Sequence, residues 1–183
     1  MRAILTIVYS CFLFLPLYAE DTFDQLHTKA EQGDATAQLY LAGRYLSGKG
    51  VIKNEVEAYN WFKKSAEQGD AKAQYGLGLC YFTGTGVVQN TAEAVKWWQK
   101  AAEQGDANSQ RRLYISYKEG EGVIKNDVMA YQWLLLSSAD GDKNAKKMMP
   151  EIERQLTLEQ RSEGQRLATE WQAAFEKRKQ QNQ

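Results

Sequence analysis

The chain has 183 residues, a length suited to one domain of ordinary size. Apolar residues make up 43% of it and charged residues 25%, which excludes a disordered polyelectrolyte and a bundle of membrane spans. Acidic and basic residues number 23 each, so the chain lacks the basic excess that neutralises the phosphates of a nucleic acid, and we expect no nucleic-acid partner. Two prolines in the whole chain, with many Ala, Gln, Glu, Lys and Leu residues, indicate a helical protein.

The first 19 residues have the pattern of a secretory signal peptide. Arg2 precedes the apolar run 3–15, and Ala19 is the small residue before an acidic pair. We therefore predict cleavage after Ala19 and a periplasmic or secreted protein with no stable membrane span. The alternatives are an uncleaved anchor, because the run approaches the length of a spanning helix, and a lipidated cysteine at Cys11.

Cleavage would leave a single cysteine in the mature chain. Cys11 departs with the signal peptide, so Cys80 has no partner for an internal disulfide. We interpret Cys80 as a small helical residue that packs as a hydrophobe, and the alternative is a reactive or intermolecular thiol.

A block of six residues occurs three times at a constant spacing. Residues 30–35 read AEQGDA, and the same six letters stand 36 and 72 residues further on. A Gly-x-Gly-Val turn at 48–51 recurs with the same step. A fixed period of this length indicates stacked supersecondary units, none of which buries its apolar face alone.

Each unit is predicted to contain two helices. Asp34 would cap the first helix, along which apolar residues four apart form a stripe that ends at Tyr45. The turn at 48–50 ends that helix, and Asn54 with Glu57 would open the second helix as a reciprocal capping box. The pattern therefore predicts αα-hairpins, each stacked on its neighbours.

The two ends of the array are predicted to carry capping helices, because a solenoid would otherwise expose apolar end faces. Pro150 is expected to kink or interrupt the helical pattern, and Thr157 with Gln160 to open the last helix. The predicted division is a signal peptide at 1–19, an N-terminal capping helix at 20–33, three full repeats and a partial fourth at 34–149, a C-terminal capping helix at 150–176, and a frayed tail at 177–183.

The repeat reads A-x-x-G-D-A-x-A-Q-x-x-L-G-x-x-Y-x-x-G-x-G-V-x-x-N/D-x-x-x-A-x-x-W and closely resembles the Sel-one-like repeat family, a relative of tetratricopeptide repeats, over residues 30–145. The resemblance implies an all-α fold, a right-handed α-solenoid of 36-residue repeats. It also implies a function, because members of that family usually act as adaptors in protein complexes. The third copy departs from the pattern, because Tyr114 replaces a small residue, and we expect its hairpin to sit slightly open.

Few residues are available for catalysis. His27 is the lone histidine, which rules out two-histidine zinc sites and leaves no histidine elsewhere in the chain as the base of a Ser–His or Cys–His pair. The serine β-lactam-hydrolase signature is absent, and the Gly-x-Gly turns lack the Lys-Ser/Thr of a phosphate loop. We predict no enzyme, no metal and no cofactor. The alternative is a β-lactam-directed or peptidoglycan-directed enzyme. The resemblance leaves it open, because some repeats of the Sel-one-like family have been linked to β-lactams.

Aromatic residues recur at one position of the repeat. Trp61, Trp97 and Trp133 stand 36 residues apart, which predicts core packing rather than an aromatic ligand cage. Trp98 and Tyr40 differ, because the other copies carry unlike residues at their positions.

Positions at which the copies differ on an exposed helix face are the candidate binding surface. By the resemblance, the first helices line the concave side, and Tyr and Arg are residue types that carry interface energy. We predict a shallow, basic-leaning groove for a peptide or protein partner, the alternative being an ordinary solvated face. This first-helix face comprises Thr36, Tyr40, Arg44, Lys72, Cys80, Asn108, Arg112, Ser116 and Glu119.

The predicted function is an exported, monomeric adaptor that binds a protein or peptide partner. The alternative is a secreted factor that interacts with a host through the same surface.

Overall fold

The computed structural model describes residues 22–181, so the predicted signal peptide lies outside the described residues. Between residues 22 and 181 the chain forms nine α-helices and no strand. They are α1 (Phe23–Glu31), α2 (Ala35–Ser47), α3 (Glu55–Glu67), α4 (Ala71–Thr83), α5 (Thr91–Glu103), α6 (Ala107–Glu119), α7 (Asp127–Ala139), α8 (Lys143–Gln155) and α9 (Leu158–Gln181).

The helices stack as a solenoid of αα-hairpins, which confirms the predicted fold class. The hairpins α2–α3, α4–α5 and α6–α7 are the three repeats, and each first helix also packs on the second helix of the preceding repeat. The short helix α1 packs on α2 in the same way, where a preceding second helix would stand. Leu26 of α1 is fully buried there, so α1 covers the apolar end of the first repeat.

The first helices begin and end with the same chemistry in each repeat. The carboxylate of Asp34 accepts a hydrogen bond from the Ala37 N–H at 2.8 Å, and the equivalent aspartates of α4 and α6 do the same. Each of these helices ends at a glycine in the left-handed conformation, of which Gly48, with φ 73°, is the first. These caps end the first helix at the same repeat position in every copy, so the first helices are equal in length.

The second helices are capped differently from the prediction. The side chain of Asn54 accepts from the Val56 and Glu57 N–H groups, but the Asn54 N–H does not donate to the Glu57 carboxylate in return. That N–H instead donates to the carbonyl of Tyr45 at 3.0 Å, and the equivalent bond recurs in the next two repeats. The predicted capping box is therefore wrong, because the last turn of the first helix already satisfies the donor that the box would use.

The C-terminal end differs from the predicted boundaries. Pro150 lies inside α8, which continues to Gln155 because Ile152 and Leu156, beyond the proline, are buried. The proline itself is exposed, so the carbonyl that loses its helical hydrogen bond lies on the solvent side of the helix. The predicted interruption at 150 is therefore wrong, and the alternative of a kink stays a prediction. Similarly, α9 continues through Gln181, so the part of the predicted frayed tail that the structure describes is helical.

The last helix closes the array by packing on α7. The predicted capping box at its start is confirmed, because Thr157 and Gln160 exchange hydrogen bonds of 2.9 and 3.1 Å. Gly164 lies against the ring of Tyr131, where a Cβ would stand 2.7 Å from the ring carbon Cδ1. The small residue therefore lets the two helices approach closely.

The third hairpin does not open as its tyrosine predicted. Gly78 of α4 lies against the indole of Trp98, the facing residue on α5. The equivalent pair in the third repeat is Tyr114 with Leu134, both buried, and α6 packs on α7 as closely as the other hairpins pack. The expectation was wrong because a large residue on one helix is offset by a smaller residue on the facing helix.

Glutamine side chains link successive repeats. The amide of Gln38 donates to the Ala30 carbonyl at 3.0 Å and accepts from the amide of Gln68 at 2.8 Å. Gln74 makes the same two bonds in the second repeat. In the third repeat Gln110 is fully buried, and neither its Nε2 nor its Oε1 has a partner among residues 22–181. The glutamine chain ends there because the position of its donor holds Asp140.

Asp140→Gln is expected to stabilise the chain by about 0.5–1.5 kcal/mol, since the new amide would donate to the buried Gln110 Oε1. It would also remove a carboxylate from the negative end of α7. Urea unfolding monitored by tryptophan fluorescence measures the change. Gln104→Asp is the matched control, because it removes the donor to Gln74 and should destabilise by a similar amount. Equal stabilities of Asp140→Gln and the original chain would contradict the prediction.

Candidate binding face

The structure places seven of the nine residues of the first-helix face at least partly in solvent and buries the other two. The side chains that reach solvent are those of Thr36, Tyr40, Arg44, Lys72, Asn108, Arg112 and Glu119. Cys80 is 3% exposed and Ser116 2% exposed, so their assignment to the face is corrected. The position they share with Arg44 lies close to the neighbouring helices, where a long side chain extends outwards and a short one is covered.

The burial of Cys80 also decides between the two interpretations of its thiol. Its side chain belongs to the core cluster of the first two repeats. Removal from water raises the pKa of the Cys80 thiol to about 11, so the group stays protonated at neutral pH. Cys80 therefore packs as a hydrophobe and is poorly suited to nucleophilic chemistry.

The tryptophans that recur at one repeat position are core residues with one qualification. Trp61 and Trp133 are buried, as predicted. Trp97 is half-buried, and the ammonium of Lys100 lies 3.9 Å from its ring centroid. None of the three forms an open cage.

A shallow pocket of about 400 Å³ opens on the first repeat beside Tyr40 and Arg44. Its other lining residues are Leu39, Gly43, Ser47, Lys49 and Phe62. Phe62 was not predicted as part of this surface, although the sequence contains a signal. In the next repeat Gly76 stands at the position of Tyr40, and its missing Cβ would lie 2.7 Å from the Phe62 ring. The glycine therefore leaves no side chain over that ring.

Arg112, in the third repeat, is held by aromatic rings. Its guanidinium carbon lies 5.7 Å from the ring centroid of Phe82 and 5.6 Å from that of Trp98. Trp98 is itself fixed, because its indole N–H donates to the Tyr75 carbonyl at 3.3 Å. The Nε of Arg112 is buried and has no hydrogen-bond partner among the described residues. This arrangement places a cation on the first-helix face, and between residues 22 and 181 it forms no ion pair with a carboxylate.

The neighbouring arginine shows the contrast. Arg111 pairs with Asp142 at 2.8 Å, and the same carboxylate accepts from Asn144 and Ala145 at the start of α8. Arg111 therefore serves the junction between the third repeat and α8. The adjacent Arg112 is partly exposed and contacts the rings of Phe82 and Trp98 instead.

The described residues supply little else for chemistry. Between residues 22 and 181 no group of three His, Cys, Asp or Glu side chains is arranged to hold a metal ion. Within the same range no helix combines the length and apolarity needed to cross a bilayer.

The fold defines a helical repeat protein, an α-solenoid built from αα-hairpins. The model of the Sel1 repeat matches residues 35–70, 71–106 and 110–142, which is more than half of the chain. The chain therefore belongs to the Sel1 repeat family. Proteins of this family are generally protein-interaction scaffolds.

Solved structures support the same assignment. A Sel1 repeat protein from Oxalobacter formigenes is 42% identical and superposes with a TM-score of 0.65, covering 67% of this chain and 49% of its own. A protective antigen of uropathogenic Escherichia coli with this fold is 35% identical with a TM-score of 0.73, covering 86% of this chain and 33% of its own. Cysteine-rich protein B of Helicobacter pylori shares the fold. It is 17% identical and superposes with a TM-score of 0.59, covering 69% of this chain and 93% of its own.

One curated relative matches over a shorter range. The secretory immunoglobulin A-binding protein EsiB of Escherichia coli O6:H1 is 39% identical over 51 residues. The match covers 28% of this chain and 10% of EsiB. The chain thus spans a small part of that relative.

Proposed function

We propose that this chain is an exported adaptor that binds a peptide or protein partner on its first-helix face, and that the partner presents acidic groups there. The observation that carries the proposal is Arg112, whose guanidinium carbon lies 5.7 and 5.6 Å from the ring centroids of Phe82 and Trp98, two rings that contact each other at 5.5 Å. A cation held in this way is already oriented, so a carboxylate that binds it loses less conformational entropy than with a free side chain.

The remainder of the face supplies further contacts of suitable chemistry. Lys72 is exposed one repeat before Arg112, and Arg44 lines the pocket beside Tyr40 another repeat before. One cationic side chain in each of three successive first helices suits an extended partner with several acidic groups. Phe62 is 8% exposed and contributes part of the lining of the pocket at one end of this row.

Cross-linking in the native envelope, followed by mass spectrometry, tests the proposal. The amount of cross-linked partner recovered with the Lys72→Glu, Arg112→Glu variant is expected to be at least about tenfold lower than with the original chain. The reason is that interface arginines often dominate the binding energy. Lys63→Glu is the matched control, since Lys63 is an exposed lysine on the second helix α3. Unchanged recovery with the double variant, or an equal loss with the control, would remove the first-helix face as the binding surface.

A second candidate is a secreted factor that binds a host protein through the same face. The match to EsiB, whose name records binding of secretory immunoglobulin A, favours this possibility. Surface plasmon resonance with immobilised secretory immunoglobulin A tests it on the purified chain. Binding that disappears in the Lys72→Glu, Arg112→Glu variant would support the host role, and no binding at about 100 µM would end it.

A further inference from the structure

Three aliphatic side chains at one repeat position are exposed almost completely. Ile52, Val88 and Ile124 are 88%, 86% and 88% exposed, and each lies in the loop between the first and second helix of its repeat. The preceding valine of each loop is at least partly buried. Every loop therefore packs one aliphatic residue and presents the next to solvent, and we call the exposed row Ile52, Val88 and Ile124 the loop ladder.

The loop ladder does not serve the fold. Single exposed apolar residues are ordinary on protein surfaces, but these three stand in register along one edge of the solenoid. A β-branched side chain that is nearly 90% exposed gains almost nothing from packing. A repeated position that is apolar and exposed in all three copies indicates a contact with another surface.

Charges beside the loop ladder change sign along its length. The second residue after the end of the first helix is Lys49 in the first repeat, Thr85 in the second and Glu121 in the third. The last residue of the first helix is Ser47, Thr83 and Glu119 in the same order. Lys53 and Lys125, which follow Ile52 and Ile124, each pair with the acidic residue that begins the next helix, Glu55 at 2.8 Å and Asp127 at 3.7 Å, so these charges offset one another. The remaining charges make the edge basic at the first loop, neutral at the second and acidic at the third.

We propose that the loop ladder is the interface of an antiparallel homodimer with a two-fold axis at the second repeat. Val88 then faces Val88 of the partner subunit, and Ile52 faces Ile124 of the partner subunit. Lys49 meets Glu121 of the partner subunit, and this contact occurs twice because the two-fold axis makes the interface self-complementary. The neutral second loop stands on the axis, where any charge would face its own copy.

Charge favours a second copy over a lipid surface. An anionic membrane surface would attract an edge that is basic along its whole length. The third loop of this edge is acidic, so an anionic membrane would repel that loop. The chain has equal numbers of acidic and basic residues, so two copies approach without net repulsion. The proposal departs from the monomer expected from the sequence and is independent of the first-helix face.

Sedimentation velocity of the purified chain between about 5 and 500 µM tests the dimer. The weight-average mass is expected to rise towards twice the chain mass with concentration. Val88→Asp would place two carboxylates opposite each other on the axis and should raise the dissociation constant at least about tenfold. Leu158→Asp is the matched control, because Leu158 is 77% exposed but lies outside the loop ladder, and it should leave the dissociation constant unchanged.

Charge exchange tests the antiparallel arrangement. Lys49→Glu and Glu121→Lys should each weaken the dimer, because like charges would then meet at two places, and the double variant should restore it. A monomer at every concentration, or a dimer that Val88→Asp leaves intact, would overturn the proposal. Failure of the double variant to recover the affinity would overturn the two-fold pairing. Binding of the monomer to phosphatidylcholine or phosphatidylglycerol vesicles, lost with Val88→Asp, would assign the loop ladder to lipid and likewise overturn it.

Discussion

Replacing Gly86 with alanine is expected to destabilise the chain by about 2–5 kcal/mol, whereas Gly50→Ala should cost about 1–2 kcal/mol. The two glycines occupy the same position of successive repeats and have φ values of 70° and 76°. Both substitutions therefore impose a similar strain of left-handed backbone on a residue with a Cβ.

The two sites differ in what surrounds them. A Cβ on Gly86 would collide with the backbone carbonyl of Glu55, the first residue of α3, and Gly122 has the same relation to Thr91 at the start of α5. A Cβ on Gly50 meets nothing within 4 Å among the described residues. A backbone contact cannot be relieved by a side-chain rotation, so the loop and helix must separate.

Urea unfolding of both variants, followed by tryptophan fluorescence and circular dichroism, measures the difference. Gly122→Ala is expected to behave like Gly86→Ala, because its contact is also with backbone. Equal losses for Gly50→Ala and Gly86→Ala would show that the left-handed conformation alone accounts for the cost and that the loops tolerate separation.

Gly78→Ala is expected to cost about 1–3 kcal/mol on its own, and Trp98→Phe should relieve that cost. The new methyl group would collide with the indole of Trp98, which is fully buried and fixed by its bond to Tyr75. The first repeat already contains the combination that the double variant would create, with Ala42 and Phe62 at the equivalent positions.

A double-mutant cycle measures this compensation. Trp98→Phe alone should destabilise by about 1–3 kcal/mol, since it leaves a cavity and removes a buried hydrogen bond. The coupling energy between the two substitutions is expected to be favourable by at least about 1 kcal/mol. Additive losses would contradict the prediction and would mean that the indole moves aside without cost.

The period of the repeat was sufficient to predict most of the fold. The recurrence of AEQGDA places Asp34 and its equivalents at helix starts, and the glycine turns end each first helix as predicted. These features are local, because a cap involves residues three or four apart in the chain. The sequence therefore contains them without reference to tertiary contacts.

The predictions that failed concern places where contacts between residues far apart in the sequence decide the local structure. The Asn54 N–H bonds to Tyr45 across the turn, so Glu57 has no donor to accept from. The helix α8 continues through Pro150 because Ile152 beyond it is buried. Neither outcome follows from propensity or spacing, since both depend on which side chains the packed array encloses.

The candidate binding face was predicted in part. The comparison of copies located Tyr40, Arg44 and Arg112, because variable positions on a repeated face are visible in the sequence. It included Cys80, which is buried, since equal repeat position does not mean equal exposure when side chains differ in length. It missed Phe62, which lines the pocket from the second helix.

The sequence by itself determined that the chain is a stack of αα-hairpins with a 36-residue period, because the repeat and its caps are encoded locally in every copy. Tertiary structure alone decided which residues of each copy face solvent. It buried Cys80, placed the guanidinium of Arg112 over two rings and left Ile52 and its equivalents exposed. The physical reason is that burial depends on the size of the residues on the facing helices, which are separated in sequence from the positions that they cover.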